Sequence, residues 1–124
     1  MTDVQATHAA VRQFGQEQDV VTDRAERMRA HAPDAAGLMK ALGSESRLMI
    51  LCTLAEGERS VGDLNAMIPL SQSALSQQLA KLRSQGIVKT RRESQTIFYS
   101  LAKGPADRVI QLLHDIYCGT DKHN

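Results

Sequence analysis

Ser60-Val61-Gly62-Asp63-Leu64-Asn65-Ala66-Met67-Ile68-Pro69-Leu70-Ser71-Gln72-Ser73-Ala74-Leu75-Ser76-Gln77-Gln78-Leu79-Ala80-Lys81-Leu82-Arg83-Ser84-Gln85-Gly86 decides the fold. Ser60 with Asp63 three residues on resembles a capping box with the shorter acid, which starts a short helix through Val61, Leu64 and Met67. That helix must end near Pro69, because a proline disfavours helical backbone at the residue before it. Ser71 then caps a second helix to about Gln85, where Leu75, Leu79 and Leu82 form one apolar stripe and Gly86 supplies the stop. A short and a longer helix joined by a tight turn at Ile68–Leu70 have the layout of a helix-turn-helix.

Downstream of Gly86 the period changes from helical to two. Ile97, Tyr99 and Leu101 alternate with Thr96, Phe98 and Ser100, and the run Ile87 to Arg92 precedes them as a partner strand. The spacing predicts a hairpin turning near Glu93, Ser94 and Gln95, which beside a helix-turn-helix is a wing. Gly104 and Pro105 open a last helix, whose Val109, Ile110, Leu112, Leu113, Ile116 and Tyr117 cover more surface than one small core needs.

Upstream, Ser44 or Ser46 caps a helix with Leu48, Leu51 and Ala55 at helical spacing, stopped by Gly57. Before it, a helix from about Val20 to His31 is expected, with Pro33 opening another that Gly43 terminates. Met1 to Asp19 is polar, Gln-rich and aperiodic. The fold class is therefore α+β, mostly α: a winged helix-turn-helix with flanking N- and C-terminal dimerisation helices. Residues 1–19 are expected to form a flexible arm, 20–118 the DNA-binding and dimerisation domain and 119–124 a tail.

The 124 residues, 42% hydrophobic and 23% charged, suit one globular domain. No apolar run approaches the ~18 residues of a membrane span, and the N-terminus lacks the apolar core of a secretory signal, so a cytoplasmic protein is expected. The overall charge of +1 hides a segregation. From Leu64 to Arg92 there is no acidic residue, and Lys81, Arg83, Lys89, Arg91 and Arg92 give that stretch +5, which leaves −4 on the remainder. This is the electrostatic footprint of a surface that faces phosphates.

Gln72, Ser73, Ser76 and Gln77 at the start of the second helix suit base edges, since a Gln amide bonds adenine bidentately and a hydroxyl donates or accepts. Ser71 and Gln78 belong to the same candidate surface, Gln78 on either side of it. Lys81, Arg83, Lys89, Arg91 and Arg92 would contact the phosphate backbone, and Arg91, Arg92 and the wing tip at Gln95 would reach toward the adjoining backbone or the minor groove. The expected partner is double-stranded, palindromic operator DNA, bound by a homodimer that presents two reading helices about 34 Å apart. No nucleophile elbow, phosphate-binding glycine loop or metalloprotease pair points to an enzyme.

Two segments, Leu42-Gly43-Ser44-Glu45-Ser46-Arg47-Leu48-Met49-Ile50-Leu51 and Ser71-Gln72-Ser73-Ala74-Leu75-Ser76-Gln77-Gln78-Leu79 with Lys81 and Leu82, resemble the ArsR family of dimeric winged-helix repressors. With Gly86, Val88, Arg91, Arg92 and Ile97 to Leu101 the resemblance covers about Leu38 to Cys118. Many members sense metals through a Cys-x-Cys at the first helix of the reading head, where this chain has Ser60-Val61-Gly62-Asp63-Leu64. On the last helix Asp107 and His114 alone fall short of the three or four ligands of a closed site, so neither a metal nor a cofactor is expected.

The placement of Cys52 and Cys118 instead resembles the dithiol branch of that family, which responds to sulfide and persulfides. The resemblance implies that the reduced dimer represses. A persulfide or other reactive sulfur species then links Cys52 to Cys118 through a polysulfide or disulfide, lowers DNA affinity and releases genes for sulfide oxidation. A peroxide- or metal-responsive regulator of the same fold, or a non-sensing antirepressor, is the alternative.

Overall fold

The computed structural model describes residues 15–119, with side chains from residue 23 onward. Helix α1 spans Gly15–Leu42 and α2 Glu45–Glu56. Strand β1, Arg59–Ser60, leads into α3, Val61–Met67, and α4, Gln72–Ser84. The hairpin β2, Val88–Glu93, and β3, Thr96–Leu101, precedes α5, Pro105–Cys118. The chain is a mostly helical α+β winged helix-turn-helix. The expected arm falls largely outside the described residues, and α1 is already helical at Gly15.

α1 corrects one expectation. Pro33 does not open a second helix but lies inside a single helix of 28 residues. Ending and restarting there would need a cap before the proline, and His31 and Ala32 are not capping residues. Continuing costs one hydrogen bond and a ring clash, of order 3 kcal/mol, and the alanine-rich surroundings Ala30, Ala32, Ala35 and Ala36 favour helix on both sides.

By its backbone contacts the chain divides between Gly37 and Leu38. In the N-terminal unit every side chain from Asp23 to Asp34 is exposed. The unit from Leu38 has its own core, in which Leu42, Ile50, Leu51, Leu54, Leu64, Leu75, Leu79, Leu82 and Ile110 are all at most 5% exposed. α2 is central to it and packs against α5 and β3. Its cap is Ser44, whose hydroxyl accepts from the Arg47 amide at 3.3 Å, which decides between the two candidate serines.

The sheet has three antiparallel strands in the order β1-β3-β2. β1 is a strand that the sequence did not announce: two residues pairing Arg59 with Tyr99 and Ser60 with Phe98. It anchors the entrance of the helix-turn-helix to the wing, so both parts share one frame.

Candidate DNA-reading head and thiol pair

The reading head is fixed by local hydrogen bonds. Ser60 Oγ accepts from the Asp63 amide at 3.1 Å while Asp63 Oδ2 accepts from the Ser60 amide at 3.4 Å, completing the capping box. The turn is held by Asn65 Nδ2 donating to the Leu70 carbonyl at 3.0 Å. Ser71 Oγ accepts from the Ala74 amide at 3.1 Å and starts α4. Gly86, at φ 74°, then takes the left-handed conformation that closes the helix. α4 buries Leu75, Leu79 and Leu82. Gln72, Ser73, Ser76, Gln77, Lys81 and Arg83 are thereby all exposed together.

Gln78 has a different position. It is half-buried, and its Oε1 accepts from Arg47 Nη1 at 3.2 Å. Arg47 also donates from Nε to the Ala41 carbonyl at 2.6 Å and from Nη2 to the Lys40 carbonyl at 3.2 Å. One guanidinium thus binds two carbonyls in the last turn of α1, sharing that of Lys40 with the Gly43 amide at 3.3 Å, and ties them to the reading helix. Sequence reasoning missed Arg47, because a lone arginine on a helix reads as a solvated face.

In the wing, Glu93 pairs with Thr96 around the two-residue loop Ser94-Gln95, and Ser94 has φ 60°. A left-handed first loop position belongs to the primed turns, whose twist matches that of the strands. Lys89, Arg92 and Gln95 are exposed. Arg91 is engaged within the chain: Nη2 and Nε donate to the two carboxylate oxygens of Glu58 at 2.8 and 3.1 Å, and the guanidinium lies 4.8 Å over the Phe98 ring. The hydrogen bonds from Arg91 hold the Glu58 carboxyl below its usual range.

The two cysteines are on α2 and α5, which pack together. Cys52 is half-buried and Cys118, the last residue of α5, is exposed. Burial pushes the Cys52 thiol up, and the nearby Cys118 and Glu56 add to that by disfavouring a second negative charge. A hollow of about 220 Å³ opens beside Cys52, lined also by Ala55, Glu56, Ile110, Gln111, His114 and Asp115. Among the described residues no group of three or more His, Cys, Asp or Glu could hold a metal ion.

The family model described as bacterial regulatory protein, arsR family, matches residues 44–90, from the cap of α2 into β2. The chain is 48% identical over 93 residues to the transcriptional activator HlyU of Vibrio cholerae, spanning 75% of this chain and 86% of that protein. The chain belongs to the ArsR family. The biofilm growth-associated repressor of Agrobacterium fabrum is also 48% identical, over 96 residues, 77% of this chain and 82% of the relative. Among solved structures, reduced HlyU from Vibrio cholerae superposes with TM-score 0.71 at 48% identity, covering 75% of this chain and 98% of that one. The transcriptional repressor BigR from Xylella fastidiosa superposes with TM-score 0.70 at 44% identity, covering 78% and 96%.

As an ArsR-family member the protein is a DNA-binding transcription regulator and not an enzyme. Among the described residues no helix is long and apolar enough to cross a membrane. The geometry brings Gln72, Ser73, Ser76, Gln77, Lys81 and Arg83 onto the exposed side of one helix, and puts Lys89, Arg92 and Gln95 on the hairpin beyond it. Arg91, Gln78 and the Ser71 hydroxyl already have partners within the chain. Glu58 and Arg47 are the residues of this region that the sequence did not single out. Their partners lie 33 and 31 positions away, a distance at which no local pattern operates.

Proposed function

We propose that this ArsR-family regulator is a cytoplasmic, homodimeric repressor of palindromic operator DNA that responds to persulfides through Cys52 and Cys118. The observation that supports the reading is the placement of the only two thiols on α2 and α5, two helices of the core unit that pack together. Gln72, Ser73, Ser76 and Gln77 would read bases, and Lys81, Arg83, Lys89, Arg92 and Gln95 would contact the backbone. The covalent step needs no further oxidant. Each thiolate accepts one sulfur from a persulfide, which leaves as a thiol. The terminal sulfur of one cysteine persulfide then attacks the inner sulfur of the other, hydrogen sulfide departs, and a trisulfide joins α2 to α5. A tenfold loss of operator affinity requires only about 1.4 kcal/mol of bias between the two states.

The test is operator binding by anisotropy before and after a persulfide donor, with operator selected by the reduced protein from a random duplex library. Weaker binding after treatment, abolished in Cys52→Ser and in Cys118→Ser, is expected; a double Ser variant that still responds sinks the thiol assignment. Mass spectrometry separates persulfide from peroxide chemistry, because a disulfide only loses two hydrogens whereas the polysulfide also gains sulfur. The Vibrio relative is called an activator and the Agrobacterium relative a repressor. A promoter fused to a reporter, measured with and without this protein, fixes the sign here, and repression is expected.

A further inference from the structure

Arg91 belongs to the acid-free, +5 stretch, yet its charge is not free. Strand alternation puts Lys89, Arg91 and Glu93 on one face of β2 and Val88, Thr90 and Arg92 on the other, and the buried Val88 marks the second as the core face. On the outer face Arg91 pairs with Phe98 of β3, and Phe98 pairs in turn with Ser60 of β1. The guanidinium therefore reaches across β3, over the Phe98 ring at 4.8 Å, to Glu58, two residues before Ser60. Both carboxylate oxygens are engaged, at 2.8 and 3.1 Å, with Glu93 at 3.5 Å on the remaining nitrogen. Among the described residues Lys81, Arg83, Lys89 and Arg92 form no ion pair, so Arg91 is the one cation of the five that is already neutralised.

A two-point fork on a carboxylate is also the geometry in which arginine grips a phosphate diester. Glu58 and a backbone phosphate are thus competitors for the same donors. We propose that Glu58 is a specificity-determining residue: it occupies the Arg91 fork in place of a DNA phosphate, so random duplex engages only the other cations, and only a duplex that seats the wing displaces it. Non-specific affinity is almost wholly counterion release. Withholding one cation therefore lowers the background against which an operator is found.

Only reduced protein and duplex DNA are needed, so the outcome is separate from any thiol response. The full-length chain is titrated with a random-sequence duplex over a range of salt concentrations. Glu58→Gln is expected to bind random duplex about fivefold more tightly at 0.15 M salt and to steepen the dependence of log affinity on log salt by about 0.9, the value of one added phosphate contact. Arg91→Ala alone leaves the random-duplex slope unchanged, and the Glu58→Gln, Arg91→Ala double variant returns to the wild-type slope. On operator selected from a library by the wild-type protein, Arg91→Ala reduces the slope by about 0.9. Glu58→Ala, checked for folding by circular dichroism, must repeat the Gln result. A Glu58→Gln variant that binds random duplex with unchanged slope, or less tightly, overturns the proposal and leaves Glu58 a strut of the wing. An operator slope untouched by Arg91→Ala overturns the exchange.

Discussion

At the residue scale the proposed chemistry rests on Cys52, whose thiol is pushed up first by burial, then by Cys118 and by Glu56 one turn along the same helix. The folded chain holds the thiol proton more tightly than the unfolded chain does. This contribution to stability is complete below the ordinary thiol pKa and is lost as pH rises through the raised one. Alkylation by iodoacetamide, followed site by site with mass spectrometry, should show Cys52 inflecting at higher pH in the native protein than in denatured protein. Glu56→Gln should move that inflection down, because a carboxylate that repels the thiolate is gone, while burial keeps it above the denatured value. An inflection no higher than in the denatured chain would mean that the hollow beside Cys52 is wetter than its lining implies. The thiols themselves were legible in the sequence, since a chain with two cysteines offers one pair. Their setting was not, because the burial of Cys52 and its proximity to Cys118 arise only when α5 packs on α2.

At the element scale the sequence was readable wherever the determinant is short-range. Ser60 with Asp63, Ser71 with Ala74 and the hairpin loop Ser94-Gln95 act within three residues, and each is present as expected. Pro33 and β1 failed for opposite reasons. The proline carries a strong local penalty that a long alanine-rich helix absorbs, whereas Arg59-Ser60 has no strand pattern of its own and pairs only because β3 offers an edge. The cap on α4 yields a prediction at this scale. Ser71→Ala removes the acceptor of the Ala74 amide and should lower the unfolding free energy by about 1 kcal/mol in urea titration. Ser71→Asp keeps an acceptor and adds a favourable charge at the helix N-terminus, so stability should return while DNA affinity falls from repulsion of phosphate. If Ser71→Asp failed to restore stability, the cap would not be what starts the helix.

At the scale of the whole molecule the unexplained surface is apolar. α5 buries Ala106 and Ile110 but leaves Leu112 57%, Ile116 55% and Tyr117 76% exposed, and on α1 Met28 and Met39 are 55% and 74% exposed. Scattered apolar residues on a surface are ordinary, but three on the last two turns of one helix form a patch. In a two-fold pair each copy contributes the same patch. Six such side chains, each already partly covered, gain roughly 6–11 kcal/mol on full burial, comparable with an association cost of about 4–15 kcal/mol. The double substitution Leu112→Asp, Ile116→Asp should therefore convert the proposed dimer to a monomer in sedimentation velocity. Far-UV circular dichroism should stay near wild type, since neither side chain belongs to the buried core of the unit from Leu38. Operator affinity should fall much further than random-duplex affinity, because a palindrome rewards two heads held one helical turn apart while non-specific binding needs only the charge of one. A double Asp variant that sediments as a dimer would place the interface elsewhere, and one that is monomeric yet binds operator normally would remove two-fold reading from the mechanism.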